Sequence, residues 1–460
     1  MEFLERVFHL KEHKTDVKTE VIAGITTFMA MAYILAVNPS ILKDAGMDSG
    51  AVFTATALAA LVGTLLMVVL ANYPFVLAPG MGLNAYFAYT VCGNMGYSWE
   101  VALAAVFIEG IVFIILSMTS VREAIFNAIP MTLKYAVTTG IGLFITFLGL
   151  KNANLVVPDN STYVAVYSFK DAIASGEIHS KGIGAILAFL GIIITAMFLI
   201  KNVKGNILWG ILITWGIGIL LQIAGVYVPN EEIGMGSLIP DFSGGFGIPS
   251  LAPTFGKMHF GTGMFSVEFI VVVFAFLFVD LFDTLGTLIG VASKADMLDK
   301  DGRLPKIRGA LLADAIGTSF GAILGTSTTT TFVESTAGVA EGGRTGLTGV
   351  VAAILFGISL FLSPIFLAIP SFATAPALIV VGFMMMSSVV KINFEDATEG
   401  LPAFLCIVGM PLTSSISEGI AFGIISYVVL NVITGKVKEK KITILMYILA
   451  ILFVLKYIMI

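Results

Sequence analysis

The chain has 460 residues, of which 57% are hydrophobic and 12% are charged, and its mean hydropathy is +0.99. Soluble domains carry roughly 25% charged residues, so this composition excludes a soluble protein and indicates an integral membrane protein. The formal net charge of −5 says little about partners. We expect the lipid bilayer to be a partner and nucleic acid not to be one. The two cysteines, Cys92 and Cys406, lie in hydrophobic segments and imply no disulfide framework.

Five regions follow one another along the chain. Residues 1–19 are charged and amphipathic, which predicts a cytoplasmic segment at the membrane surface rather than a signal peptide. Residues 20–228 and 264–434 each hold seven apolar windows, separated by a polar extracytoplasmic connector, 229–263. Residues 435–460 form a basic loop and a C-terminal hydrophobic helix. The predicted spans are 20–42, 50–71, 76–94, 98–119, 130–150, 182–200, 205–226, 264–291, 307–324, 327–341, 346–363, 372–390, 401–412 and 414–434.

The placement of lysine and arginine supports fourteen crossings with a cytoplasmic N-terminus. In that arrangement nineteen of these side chains fall on the inner side of the spans and five on the outer side. Such an excess follows the positive-inside rule and predicts a multi-pass protein of the cytoplasmic membrane. Residues 442–460 make either a fifteenth crossing or a helix in the membrane plane, and Lys456 slightly favours the second arrangement.

The third span of each set is interrupted. In the first set, prolines and glycines predict a short strand over Phe75–Ala78 and then a half-helix from about Pro79. In the second set, a β-prone run of threonines precedes a short helix over Val333–Ala340. Seven spans per half predict an inverted repeat, and paired broken segments in such repeats point to a midplane binding site. Asn84 and Glu334 lie near the starts of the two half-helices.

The eighth span carries two carboxylates at a depth where ionisable groups are costly unless they are functional. Asp280, Asp283, Thr284 and Thr287 recur at i, i+3, i+4 and i+7, which places them on one face of a helix. Two neighbouring acids resist ionising together, so one of them is expected to hold a proton near neutral pH. The sequence therefore predicts a proton-linked ligand site.

Other residues suggest weaker or negative conclusions. Glu109 is expected to be mainly structural, and Asp314 is expected to pair with the basic loop over 294–308. The four histidines fall outside the predicted spans, so no transition-metal site is expected. The chain has no P-loop, HExxH or GxSxG motif, so neither catalytic residues nor a cofactor beyond the coupled proton is expected. An intramembrane aspartyl protease would need its two acids on facing helices.

Four motifs give a resemblance that covers nearly the whole chain. The motifs are GITTFMAMAYILAVNP, LAPGMGLNAYFAYTV, FVDLFDTLGTLIG and GTSTTTTFVESTAGVAEGGRTGLT. Through them the chain resembles the AzgA-like guanine/hypoxanthine permease branch of the nucleobase/cation symporter-2 superfamily. The resemblance implies an all-α protein with fourteen spans in a 7+7 inverted repeat, short strands in segments 3 and 10, and core and gate domains. It also implies proton-coupled uptake of hypoxanthine, guanine or adenine by alternating access, and it suggests a homodimer.

Family binding residues on the third, eighth and tenth helices correspond here to Asn84, Asp280, Asp283 and Glu334. We expect Glu334 to accept from the donor edge of an oxopurine, because a carboxylate can accept two adjacent donors. Asn84 is expected to meet the imidazole or carbonyl edge. Asp280 is expected to be a second contact to the base. Asp283, and in part Asp280, is expected to carry the coupled proton.

Several further groups are candidates for completing the site. Phe28 or Phe278 is expected to stack on the purine ring. Backbone N–H groups of Phe332, Val333 and Glu334, and of 82–84, are expected to face the ligand. Two alternatives stay open: a symporter for uracil or xanthine on the same fold, and a cation channel lined by the threonine run 326–331. A membrane-embedded hydrolase is a more distant alternative.

Overall fold

A computed structural model describes residues 2–119, 129–230, 235–243, 245–261, 266–295, 297–299, 304–440 and 442–459. Most of these residues are helical. The first half contains α1 (Glu2–Phe8), α2 (Val17–Met31), α3 (Ile34–Lys43), α4 (Ser49–Ala71), β1 (Leu77–Pro79), α5 (Met81–Ala85), a π-helix (Tyr86–Asn94), α6 (Trp99–Ser117), α7 (Met131–Asn152), β2 (Val156–Asp159), β3 (Tyr163–Val166), α8 (Phe169–Ser175), a 3-10 turn (Glu177–His179), α9 (Lys181–Ile200) and α10 (Asn206–Ile223). The second half contains α11 (Val267–Lys294), α12 (Ile307–Leu324), β4 (Thr329–Thr331), α13 (Ser335–Ala340), α14 (Gly346–Ser359), a 3-10 turn (Leu360–Leu362), α15 (Ser363–Leu367), α16 (Ser371–Met386), a 3-10 turn (Ser387–Lys391), α17 (Ala397–Thr413), α18 (Ile416–Ile433) and α19 (Ile444–Met459).

Eleven helical stretches in the described part of the chain are long and apolar enough to cross a membrane. They match eleven of the predicted spans. The other three predicted spans correspond to the short apolar helix Ala397–Thr413 and to the two broken segments. The eleven are Val17–Lys43, Ser49–Ala71, Trp99–Ser117, Met131–Asn152, Glu177–Ile200, Asn206–Ile223, Glu268–Ala292, Ile307–Leu324, Gly346–Leu367, Ser371–Lys391 and Ile416–Ile433. The chain is a mostly helical, multi-pass membrane protein.

The long helices pack in two groups. The first group joins α2, α4, α6, α11, α12 and α14, and the second joins α7, α9, α10, α16, α17 and α18. Glycines allow the closest approaches in the second group. A Cβ on Gly142 of α7 would lie 2.7 Å from the Gly382 carbonyl oxygen of α16, so these two backbones touch. The first broken segment lies between the groups, since α5 contacts both α7 and α11, whereas α13 contacts α2 and α11 of the first group.

A two-stranded antiparallel ladder joins the broken segments. In it, Leu77, Ala78 and Pro79 of β1 pair with Thr331, Thr330 and Thr329 of β4. Backbone bonds extend the ladder at both ends: Gly80 N–H donates to Thr328 O, and Phe332 N–H donates to Val76 O, each at 3.0 Å. β-branched threonines favour the extended backbone, and Pro79 terminates the strand before α5. Because the strands are antiparallel, α5 and α13 start beyond opposite ends of the ladder, which is about 13 Å long from Val76 to Gly80.

A buried glutamate ties the first span to α14. Glu20 is fully buried in α2 and accepts from the backbone N–H groups that open α14. These bonds come from Arg344 at 2.8 Å, Thr345 at 3.2 Å and Thr348 at 3.1 Å. The Thr348 hydroxyl adds a bond of 2.6 Å. A carboxylate at this position satisfies donors that have no partner within the helix and interacts favourably with the helix dipole.

Replacing Glu20 with glutamine is expected to destabilise the fold. The glutamine side chain would keep one acceptor oxygen but would lose the charge and would place an NH2 group against other donors. We expect a loss of about 1–3 kcal/mol, seen as a lower melting temperature of the purified protein. Glu12→Gln is the control, because the Glu12 side chain is 77% exposed. Equal melting temperatures for the two variants would contradict this role.

The C-terminal helix α19 lies alongside α18. Tyr457, near the end of α19, donates its hydroxyl to Glu418 Oε2, in the first turn of α18. The Tyr457 ring also stacks on Phe422 with centroids 6.4 Å apart. The two helices are therefore antiparallel.

Candidate functional site

The first half-helix holds a buried amide. Gly80 ends the strand segment, α5 begins at Met81, and Asn84 is fully buried in the fourth position of that helix. The Ser327 hydroxyl donates to Asn84 Oδ1, which fixes the orientation of the amide. The Asn84 Nδ2 group has no hydrogen-bond partner among the described residues. A buried donor left in this state costs about 1–3 kcal/mol, which a ligand acceptor would recover.

The second half-helix begins with a buried carboxylate. Glu334 is the residue directly before α13 and is 8% exposed. The hydroxyl of Tyr33 donates to Glu334 Oε1 at 2.6 Å. Tyr33 lies between α2 and α3 and is fully buried. Sequence reasoning missed this residue, because a tyrosine in an apolar first span gives no sign of which distant side chain it contacts.

The two aspartates of α11 have different surroundings. Asp283 is half-buried and lies against the start of α5, since a Cβ placed on Gly80 would be 3.5 Å from Asp283 Oδ2. Its carboxylate also interacts electrostatically with Glu334 and Tyr33. Asp280 is fully buried and accepts from the Thr284 hydroxyl at 2.8 Å. The two aspartates thus have different neighbours: Asp283 lies at the start of α5, and Asp280 lies against Thr284.

Behind α11, a third aspartate joins the network. Thr284 Oγ1 lies 3.0 Å and 3.1 Å from the two carboxylate oxygens of Asp314 on α12, and 2.7 Å from Thr330 Oγ1 on β4. The structure places Asp314 against Thr284, while part of the basic loop over 294–308, with which Asp314 was expected to pair, lies outside the described residues. The Thr284 hydroxyl has a single proton to share between the carboxyl groups of Asp280 and Asp314. Such an arrangement is favourable when one carboxyl is itself protonated.

Hydroxyl and amide groups hold the threonine segment in place. Glu109 on α6 accepts from Thr328 Oγ1 at 2.7 Å. Asn38 on α3 donates to Thr326 Oγ1 at 2.9 Å. Thr318 on α12 donates to the Thr329 carbonyl at 2.9 Å. These bonds place Glu109 in a supporting role, consistent with its expected structural function, and they fix the strand on which the site depends.

The remaining predicted site residues are spread around this centre. Phe332 and Val333 precede Glu334 directly, and they are 6% and 42% exposed. Phe28 packs edge-to-face on Phe356 with centroids 5.1 Å apart, and Phe278 packs beside Phe274 with centroids 5.8 Å apart. Both rings therefore already have aromatic neighbours.

Two of the expected backbone donors are engaged inside the protein. Phe332 N–H donates to the Val76 carbonyl and Asn84 N–H donates to the Gly80 carbonyl at 2.8 Å. The Phe332 N–H belongs to the strand ladder, and the Asn84 N–H belongs to the first turn of α5. The expectation that these two N–H groups face a ligand is therefore wrong.

Comparison with known proteins assigns the chain to a family. The model of the Permease family (Xan_ur_permease) matches residues 18–422. The chain belongs to this permease family. The permease is 45% identical to the guanine/hypoxanthine permease PbuO of Bacillus subtilis over 438 residues, covering 94% of this chain and 96% of PbuO. It is 39% identical to the adenine permease AdeQ of Escherichia coli over 460 residues, covering 99% and 96% of the two chains. These relatives are transporters, and the permease is not an enzyme.

A solved structure supports the fold of the permease. The transmembrane domain of the cyanobacterial bicarbonate transporter BicA superposes with a TM-score of 0.61 and covers 88% of this chain and 97% of its own. Sequence identity is 14%, so the likeness concerns the fold alone. The permease therefore has a transporter fold of the kind seen in BicA.

Proposed function

We propose that the permease takes up purine nucleobases, hypoxanthine and guanine or else adenine, across the cytoplasmic membrane together with protons. One observation carries the proposal: a buried carboxylate, Glu334, and a buried amide donor, Asn84 Nδ2, belong to two half-helices that one ladder connects. Acceptor and donor together match the neighbouring N–H and C=O groups of an oxopurine. The names of PbuO and AdeQ support the substrate class.

The chemistry of the base assigns a role to each group. Glu334 accepts from N1–H, since charge-assisted hydrogen bonds are the stronger kind. Asn84 Nδ2 donates to the carbonyl oxygen or to a ring nitrogen, because its own oxygen is taken by Ser327. Asp283 interacts electrostatically with Glu334 and supplies the second contact to the base. Asp280, which shares the Thr284 hydroxyl with Asp314, is the better place for the coupled proton.

The two packing groups support transport by alternating access. We propose that the first group, with the half-helices, is the core that carries the site, and that the second group is the gate. Two contacts between the groups would change as the core moves. Thr90, in the π-helix, donates to the Ser414 carbonyl at 2.9 Å near one end of the helices. Lys204 pairs with Glu341 at 2.7 Å in loops that we place on the cytoplasmic side.

The experiment that tests this function is uptake by the reconstituted protein. Proteoliposomes with an inward proton gradient should accumulate labelled hypoxanthine in a saturable manner, and dissipating the gradient should remove the accumulation. Unlabelled guanine and adenine should compete, and uracil should not. Gradient-insensitive uptake would contradict proton coupling, and stronger competition by uracil than by purines would contradict the substrate class. Currents in planar bilayers without saturable uptake would favour the cation channel.

A further inference from the structure

We propose that Tyr33 is a positioning residue that sets how the site reads the donor edge of a purine. It does so by occupying one oxygen of Glu334 and leaving the other to the base. The inference rests on the proposed function, because it concerns the same site. Tyr33 and Glu334 are 301 residues apart in the chain and meet only through the fold.

The hydrogen bond itself is short and buried. Tyr33 Oη donates to Glu334 Oε1 at 2.6 Å, and Tyr33 has no exposed surface. Bonds from a hydroxyl to an ionised carboxylate are about 2.5–2.7 Å long. The distance therefore fits a Glu334 that acts as an acceptor. The phenol has a single proton and gives it to Oε1, so Tyr33 leaves Oε2 to the base.

Backbone packing fixes the geometry of this pair. A Cβ on Gly338 of α13 would collide with Thr27 Oγ1 and would lie 2.6 Å from the Ala23 carbonyl oxygen, so α13 rests directly on α2. Ser335, in the first turn of α13, accepts from Val76 N–H at 3.0 Å. Both ends of the Tyr33–Glu334 bond are thus held by elements that pack without a gap. A carboxylate held in this way binds with less loss of side-chain freedom than a mobile one.

The bond has a consequence for the choice between bases. Hypoxanthine offers one donor, N1–H, at this edge, and Glu334 Oε2 satisfies it. Guanine adds an adjacent amine, which must share Oε1 with Tyr33. If the phenol oxygen is removed, Oε1 loses its donor. The guanine amine can replace that donor, whereas hypoxanthine has no hydrogen-bond donor at that position.

Tyr33→Phe tests the inference in reconstituted, full-length protein. The KM for hypoxanthine is expected to rise about 2- to 10-fold, because the Glu334 side chain is then no longer held in its binding orientation before the base arrives. The KM for guanine is expected to rise less, so the ratio of the two KM values moves toward guanine. The maximal rate and the melting temperature should stay close to those of the wild type, because the change removes one oxygen atom.

Tyr227→Phe is the matched control. Tyr227 is also buried, at 1% exposure, and its hydroxyl donates to the Gly236 carbonyl at 3.0 Å, outside the proposed site. This variant should leave both KM values unchanged. An unchanged KM for hypoxanthine in Tyr33→Phe, or an equal rise for the two bases, would overturn the inference. If the wild-type protein takes up neither base, the proposed function fails first, so the two failures are distinguishable.

Discussion

Glu334→Gln is expected to abolish measurable purine binding while leaving the protein folded. The amide would lose the charge and would turn an NH2 group toward either Tyr33 or the N1–H of the base, so one donor would face another. A loss of about 3 kcal/mol or more, or at least about 100-fold in affinity, is expected. Equilibrium binding of labelled hypoxanthine to the purified protein measures this loss.

Glu20→Gln provides a matched control for that experiment. Both glutamates are buried, and both accept a hydroxyl bond at 2.6 Å, from Thr348 in one case and from Tyr33 in the other. The two variants should behave in opposite ways: Glu20→Gln should melt earlier but bind normally when folded, whereas Glu334→Gln should melt normally without binding. Wild-type affinity in Glu334→Gln would refute the assignment of Glu334.

The two aspartates of α11 are expected to separate binding from coupling. Asp283→Asn should weaken hypoxanthine binding about tenfold or more, because it removes a charged acceptor beside Glu334. Asp280→Asn should change affinity by less than about threefold, since Asp280 contacts Thr284 behind the site. In this second variant, a proton gradient should no longer drive accumulation, although exchange of labelled for unlabelled base should continue.

Binding assays and gradient-driven uptake on the same preparations decide between the two roles. If Asp280→Asn loses binding and Asp283→Asn loses coupling, the division of roles expected from the sequence is correct and the one drawn from the structure is wrong. Thr284→Val is a useful companion variant, because it removes the hydroxyl that joins Asp280 to Asp314 and keeps the side-chain shape. It should resemble Asp280→Asn in its coupling and should bind hypoxanthine normally.

Local chemistry made the broken segments predictable from sequence. Proline and glycine around residues 79–82 cannot continue a helix from the preceding segment, and consecutive threonines favour a strand. Each signal lies in neighbouring residues, so a short strand and a half-helix could be expected in each segment. The bounds differ by about two residues: β1 is Leu77–Pro79 rather than Phe75–Ala78, and the half-helices begin at Met81 and Ser335 rather than at Pro79 and Val333. The ladder joins the segments that hold Asn84 and Glu334, with α5 and α13 at its opposite ends.

The surroundings of the acids were not predictable in the same way. Residues i and i+3 on a helix differ by about 60° around its axis, and residues i and i+4 by about 40°. Asp280 and Thr284 therefore share one neighbourhood with Asp314, while Asp283 turns toward α5. The i, i+3, i+4 spacing predicts a shared helix face, but it does not distinguish the neighbours of Asp280 from those of Asp283. The contact between Tyr33 and Glu334 depends on how α2 packs against α13, which no local pattern encodes.

The strand ladder has a mechanical consequence. It connects the two broken segments through main-chain hydrogen bonds, which a side-chain substitution leaves intact. If the base binds between Asn84 and Glu334 as proposed, the ladder keeps these two residues from moving apart to release it. In the proposed mechanism the two half-helices therefore move together, and the base is released when the second helix group no longer covers the site. We therefore expect a base that is too wide for the space between Asn84 and Glu334 to bind poorly, because the two residues cannot move apart to admit it.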